Sequence, residues 1–182
     1  MKLIEPTMEY DQQIQAFRRE FLESGDSMDG TSHLRKYDKT QEWLDQLEAS
    51  TVQYICVREE DDKVVGMIQI RRGLNEFLQK YGGHIGYCVL SGERRKGYAK
   101  QMLSEVLPEC IRLGLYDILV TCLADNEASR RTILASGGEY ESTVFEPEGQ
   151  RWIERYWIHF PQTIQICRDI CKFGFIAKYK TY

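Results

Sequence analysis

The run Arg94-Arg95-Lys96-Gly97-Tyr98-Ala99 sets three cations beside a glycine where one periodicity gives way to another. Before it, His84-Ile85-Gly86-Tyr87-Cys88-Val89-Leu90 reads as a strand. After it, Ala99, Met102, Leu103, Val106, Leu107, Cys110 and Ile111 keep the i, i+3, i+4, i+7 rhythm of an amphipathic helix. A turn between a strand end and a helix start presents unpaired backbone N–H groups at the positive end of the helix dipole, and both attract phosphate. Gly97 lets a ligand approach the backbone closely, and Ala99 keeps the next turn slim. The chemistry implied is a pyrophosphate cradle. At the head of the same strand stands His84, a side chain whose ordinary pKa of about 6.5 suits proton transfer near neutral pH. Strand alternation puts it on one face with Gly86 and Cys88, opposite Ile85, Tyr87 and Val89.

These residues need a scaffold, and the rest of the chain supplies its elements. Lys2-Leu3-Ile4 predicts a short strand stopped by Pro6, and Tyr10, Ile14, Phe17 and Phe21 mark one face of a helix ending near Gly25. Residues 24–39 are polar and read as a loop, followed by a helix carrying Trp43, Leu44 and Leu47. Strands over 53–58 and 63–71, joined by Glu59-Glu60-Asp61-Asp62, predict an antiparallel hairpin. Residues 73–83 read as a loop with one short helix. Gly114 closes the long helix, and the apolar run 116–124 predicts a strand covered on both faces. A short helix over 125–136, capped by Asp125 or Asn126, precedes two last strands over 139–145 and 151–159. The order β-α-α-β-β-β-α-β-α-β-β predicts a single α/β (α+β) domain with a mixed sheet, over residues 1–160. Residues 161–182 form a C-terminal extension. Its Ile164, Cys167, Ile170 and Cys171 are spaced for a helix, and Phe173, Phe175, Ala177 and Tyr179 alternate as in a strand.

Composition excludes several classes. With 182 residues, 42% hydrophobic and 29% charged, the chain is an ordinary globular sequence, and its formal net charge of −4 argues against general nucleic-acid binding. The cations at 94–96 are thus a local patch on an acidic background. No run approaches the ~18 apolar residues of a membrane span, and no secretory leader opens the chain, so a cytoplasmic protein without membrane partners is expected. Of six cysteines, Cys56, Cys88, Cys110 and Cys122 fall inside expected elements and read as core; only Cys167 and Cys171 are close, and no histidine joins them, so no metal site is expected. The full Gly-x-x-x-x-Gly-Lys-Ser/Thr nucleotide loop is absent.

Arg94, Gly97 and Ala99 meet the Arg/Gln-x-x-Gly-x-Gly/Ala signature that follows the fourth strand of GNAT-superfamily N-acetyltransferases. Asp125-Asn126-Glu127-Ala128-Ser129 meets that family's second signature, an asparagine opening the next short helix. With the order of elements, these make the chain resemble that superfamily from about residue 1 to 159. The 73–87 stretch and the Asn-Glu-Ala-Ser pattern resemble a bacterial group of predicted acetyltransferases. The resemblance implies a mostly antiparallel sheet with a splayed central strand pair, and acetyl-CoA as co-substrate in the splay. Backbone groups of Cys88, Val89 and Leu90 would meet the pantetheine. The amides of Arg95, Lys96, Gly97, Tyr98 and Ala99 would wrap the pyrophosphate, with charge from Arg94 and Lys96. Asn126 would reach the pantetheine arm, with Ser129 nearby, and Arg130 and Arg131 stand where the 3′-phosphate of CoA could be met. Asn126 also suits a helix N-cap.

The resemblance further implies direct attack of a primary amine, from a small molecule or a peptide, on the thioester. Candidate bases are His84 and, on the loop expected to border the acceptor, Glu76; Tyr87 lines the cleft or donates a proton. Many family members carry an acid tyrosine on the short helix, four residues before its terminal glycine, and here Ile133 stands there. That departure keeps open an alternative reading as a non-catalytic acyl-CoA-binding or regulatory module. Glu23, Asp26, Asp29 and Glu76 incline the acceptor side toward cations. The extension is expected to pack on the domain or on a neighbouring subunit of a homodimer.

Overall fold

The computed structural model describes residues 1–161, and the expected helix and strand of the extension, with Cys167 and Cys171, lie outside them. The elements follow the expected order: β1 (Lys2–Ile4), α1 (Asp11–Ser24), α2 (Thr40–Asp45), β2 (Thr51–Arg58), β3 (Lys63–Arg71), β4 (Ile85–Val89), α3 (Tyr98–Arg112), β5 (Asp117–Leu123), α4 (Glu127–Ala135), β6 (Glu139–Glu146) and β7 (Arg151–His159). They build one seven-stranded sheet in the order β1-β2-β3-β4-β5-β7-β6. Every neighbouring pair is antiparallel except β4–β5, which is parallel.

Period-two alternation splits the sheet into two faces. Ile68, Ile70, Ile85, Val89, Ile118, Val120, Cys122, Tyr156 and Ile158 pack with Met102, Leu103, Val106 and Cys110 of α3 and Ile133 of α4. On the other face Ile55, Val57, Met67, Cys88 and Leu90 pack with Ile14, Phe17 and Phe21 of α1, Leu34, and Trp43 of α2. Cys56, Cys88, Cys110 and Cys122 are free thiols buried in these cores. The 73–83 segment forms one wide helical turn at Leu78–Gly82, and Phe77 just before it faces solvent.

The loop between α1 and α2 is fastened to the sheet by buried polar groups. Gln53 Nε2 donates to the Gly30 carbonyl at 3.0 Å, while Ser32 Oγ reaches Gln53 Oε1 and Gln69 Oε1, each at 2.8 Å. Ser32 and His33 hold left-handed backbone, a strained conformation that the side-chain bonds retain. Gly30 lies directly on β4: a Cβ built there would stand 2.2 Å from the Gly86 carbonyl oxygen, and its φ is +77°. Gly25, at φ +72°, has open space around the same position. Gly30→Ala is therefore expected to cost about 2–4 kcal/mol, left-handed strain plus steric overlap, and Gly25→Ala only about 1 kcal/mol. Urea unfolding of both variants checks this; equal losses would mean that the contact with β4 carries no weight.

Candidate functional site

Strands β4 and β5 are joined over a very short length. Ile85 and Val120 form their single register pair. Just before it, the His84 N–H donates to the Leu119 carbonyl at 2.7 Å, and the Leu119 N–H donates to His84 Nδ1 at 2.9 Å. The imidazole nitrogen thus stands in for a backbone carbonyl and completes a two-bond clamp at one end of the strand pair. Beyond Ile85 no pairing follows, so the strands part toward the carboxyl end of β4. The Leu90 N–H donates to Val65 and the His84 carbonyl accepts from Arg71. By alternation the backbone groups of Gly86 and Cys88 face β3, and those of Tyr87 and Val89 face the gap. The Val89 carbonyl is met by Arg94 Nε at 3.2 Å.

The gap opens beside the turn that starts α3. Ser91–Glu93 makes one 3-10 turn, Arg95 adopts a left-handed backbone (φ +64°), and Gly97 caps α3 at φ +88°. A Cβ on Gly97 would meet nothing within 4 Å, so the space before this helix end is open. Tyr98 and Ala99 are half-buried at the start of α3. The three cations differ in what holds them. Arg94 Nη2 pairs with Asp26 at 2.6 Å, tying the turn to the α1–α2 loop. Lys96 Nζ pairs with Glu93 at 2.8 Å. Arg95 has no carboxylate partner among the described residues and is exposed.

Glu93 organises this turn, although in sequence it is marked only as an acid preceding three bases. It is buried and accepts from Arg58 at 2.8 Å, Lys63 at 2.9 Å and Lys96. Hydrogen bonds from Lys96 and then Lys63 hold its carboxyl down to about 2.

On the helix side of the gap, the Tyr87 hydroxyl meets Ser129 Oγ of α4 at 2.8 Å, bridging β4 to α4. Burial pushes the Tyr87 phenol up to about 12, so it stays neutral and keeps a proton to donate. Ser129 also interacts with the Cys122 thiol of β5. Asn126 Oδ1 accepts from the Ser129 N–H at 3.0 Å and caps α4, and the residue is exposed. Arg130 is committed elsewhere, to Glu154 at 2.7 Å and to the Ala124 carbonyl at 2.5 Å, and Arg131 to Glu127 at 2.7 Å. Ile133 is fully buried in the core under α4.

The gap is therefore lined by the backbone groups of Tyr87 and Val89, with Ser129 facing the Tyr87 hydroxyl, next to the 94–99 turn; Cys88 and Leu90 instead turn their backbone groups to β3 and their side chains into the core. It does not gather His84, whose Nδ1 lone pair is spent on Leu119, so its proton sits on Nε2 and the ring is a donor. Burial lowers the His84 pKa, which keeps it neutral. That bond spends the Nδ1 lone pair that a candidate base would offer. Glu76 is exposed on the 73–77 segment and holds no ion pair among the described residues.

The Glu93 network has a pH signature. Its folded pKa of about 2 lies below the unfolded value of about 4.3. The stability it contributes is present above about pH 4.5 and is lost as pH falls toward 2. Glu93→Gln is expected to remove that part of the acid dependence, read as unfolding midpoint against pH. An unchanged profile over roughly pH 5 to 2 would deny Glu93 this role.

The profile of the acetyltransferase (GNAT) family matches residues 14–137. No curated protein sequence matches the chain. Among solved structures, ribosomal-protein-S5-alanine acetyltransferase from Vibrio fischeri superposes with a TM-score of 0.68 at 15% identity, covering 86% of this chain and 91% of that one. A mutant form of spermidine N-acetyltransferase from Vibrio cholerae gives 0.65 at 12% identity, covering 93% and 99%. Microcin C7 self-immunity acetyltransferase, in complex with acetyl-CoA and AMP, gives 0.64 at 16%, covering 87% and 91%. At such identities the likeness is one of fold. The family profile spans well over half of the sequence, and with the clamped, splayed β4–β5 pair and the glycine turn before α3 it establishes that this chain belongs to the acetyltransferase (GNAT) family.

Proposed function

We propose that the protein transfers the acetyl group of acetyl-CoA to a primary amine by direct attack on the thioester. The observation that carries this reading is the gap between β4 and β5, unpaired beyond Ile85–Val120 and opening beside the Gly97 turn. The residues fit the co-substrate. Open space before α3, backbone N–H groups at its start and the uncommitted Arg95 suit a pyrophosphate. The Val89 N–H, facing the gap, and the exposed Asn126 amide at the start of α4 suit the amide-bearing pantetheine arm.

In this mechanism a neutral amine, having lost its proton to solvent, attacks the thioester carbon. A backbone N–H of β4 facing the gap stabilises the oxyanion, and holding amine and thioester together supplies much of the rate. The nitrogen, positively charged after attack, gives its extra proton to water, the C–S bond breaks, and the electron pair leaves on sulfur. In this reading Tyr87 hydrogen-bonds to that sulfur. With its phenol near 12 and a thiol near 8.5, full proton transfer from Tyr87 to a thiolate is uphill. Its work is to stabilise the thiolate, the final proton coming from water. Ser129 orients the hydroxyl. The acid expected on α4 is replaced by Ile133, and a tyrosine on the neighbouring strand reaches the same helix.

The buried Ile133 also favours a second reading, a module that binds acyl-CoA without turning it over. Kinetics separate the two. Tyr87→Phe is expected to lower kcat on the order of 100-fold while acetyl-CoA affinity changes little. Thiol release from acetyl-CoA against a panel of amines measures it; no release by the wild-type protein, with acetyl-CoA bound, supports the second reading. For the cradle, Gly97→Asp keeps a residue type that tolerates left-handed backbone and adds a negative charge where phosphate is placed. It is expected to weaken acetyl-CoA binding by about tenfold or more, and Gly97→Asn far less. Equal affinities for the two variants would remove the pyrophosphate from this turn.

A further inference from the structure

At the clamped end of β4 and β5, on the sheet face opposite the Ile118 and Val120 side chains, lies a cavity of about 380 Å³. Its lining includes none of Tyr87, Val89 and Ser129, being made by His84 and Leu119 themselves, the Arg72–Gln79 segment, Arg155 and Trp157. Its polar lining is rich in donors and lacks carboxylates. His84, with Nδ1 occupied by the Leu119 N–H, can offer only Nε2–H. The Arg72 guanidinium holds no ion pair or hydrogen bond among the described residues, and Gln79 also lines the cavity. A second cation, Arg71, lies close behind His84. It is largely buried, donating to the Gly82 and Gly83 carbonyls at 3.3 and 3.0 Å, and forms no ion pair among the described residues.

The remaining lining is Arg155, whose charge is paired with Glu141, and an apolar wall. Leu74, Leu119 and the Trp157 ring line the cavity. Trp157 is anchored by its Nε1–H to Glu141 at 2.8 Å, and its ring stacks on His159. The Glu141 carboxylate is also taken by Arg155, which in turn donates to the Gln79 and Lys80 carbonyls. The acid that anchors this wall is therefore consumed in holding Arg155 and Trp157 in place, and the Arg72 charge is left without a counter-ion. An uncompensated guanidinium, a neutral imidazole donor and a flat aromatic wall match one kind of ligand.

We infer that this cavity is a binding site for a small carboxylate with an apolar or aromatic body, the carboxylate meeting Arg72 and His84 Nε2–H and the body lying against Trp157, Leu74 and Leu119. The site stands independently of acetyl transfer, since binding is read without acetyl-CoA or turnover.

The test uses phenylacetate as probe, with phenylacetamide as its neutral isostere and inorganic phosphate as a bare anion. The full chain, carrying 15N-labelled histidine, reports on the His84 ring by NMR. Phenylacetate is expected to shift the His84 Nε2–H signal saturably, with phenylacetamide and phosphate each about tenfold weaker or more. Arg72→Gln, at an exposed side chain without partners, is expected to weaken phenylacetate by about tenfold. Equal binding of phenylacetate and phenylacetamide overturns the carboxylate assignment. Equal binding of phosphate overturns the role of the apolar walls, and an unchanged affinity in Arg72→Gln, or no shift with any probe, overturns the site.

Discussion

Everything in the site depends on how β4 and β5 are held: tightly at one end, and not at all beyond it. The His84 and Leu119 backbones exchange one hydrogen bond, and the imidazole supplies the acceptor that a continuing parallel partner would have given. Gly83 makes the approach feasible, because a side chain there would strike the Leu119 carbonyl. One register pair later the ladder stops, although both strands stay buried in the core made by α3 and α4. Backbone groups left without a strand partner are costly unless something meets them. Arg94 takes the Val89 carbonyl, and a ligand arm in the gap would take others. The clamp therefore fixes both where the opening begins and which donors face it.

The surroundings of the gap are then arranged by charge and by one close backbone contact. Glu93, sunk beneath the turn, collects Arg58, Lys63 and Lys96 and so sets the path of the chain from β4 into α3. Arg94 ties that turn to Asp26, and Gly30 rests on Gly86, which together press the α1–α2 loop against one face of β4. On the other face, Tyr87 reaches up to Ser129. Two of the three cations in the glycine turn are thus occupied in shaping it, which leaves backbone amides, helix dipole and Arg95 to receive an anion. A cradle built from backbone and dipole needs less side-chain charge than the run of three bases suggests.

Much of this was legible in the sequence, and the residues say why. Alternation placed His84, Gly86 and Cys88 opposite Ile85, Tyr87 and Val89, and the two cores divide Cys88 from Ile85 and Val89 in that way. Gly97 was legible as a helix start because a glycine between two periodicities has few other uses, and it is left-handed there. Partners distant in sequence were not legible. That the His84 lone pair would be spent on Leu119, 35 residues away, depends on strand register. The pairing of Arg94 with Asp26, 68 residues apart, depends on where a polar loop lands. Of the two readings that the sequence offered for Asn126, the N-cap is the one that the chain itself forms, through the bond to Ser129. The missing acid on α4 was legible, whereas the bond between Tyr87 and Ser129 required knowing which helix Tyr87 faces.

The central claim is that the gap and its turn hold acetyl-CoA. Thermal unfolding with and without acetyl-CoA, using ATP and NAD as controls, tests it most directly, since a ligand bound only by the folded state must raise the midpoint. At ~100 times its Kd a ligand stabilises by ~2.7 kcal/mol. A clear rise with acetyl-CoA that neither control reproduces is the expected result. A well-folded protein whose midpoint is unmoved by acetyl-CoA, or moved equally by ATP, would contradict it.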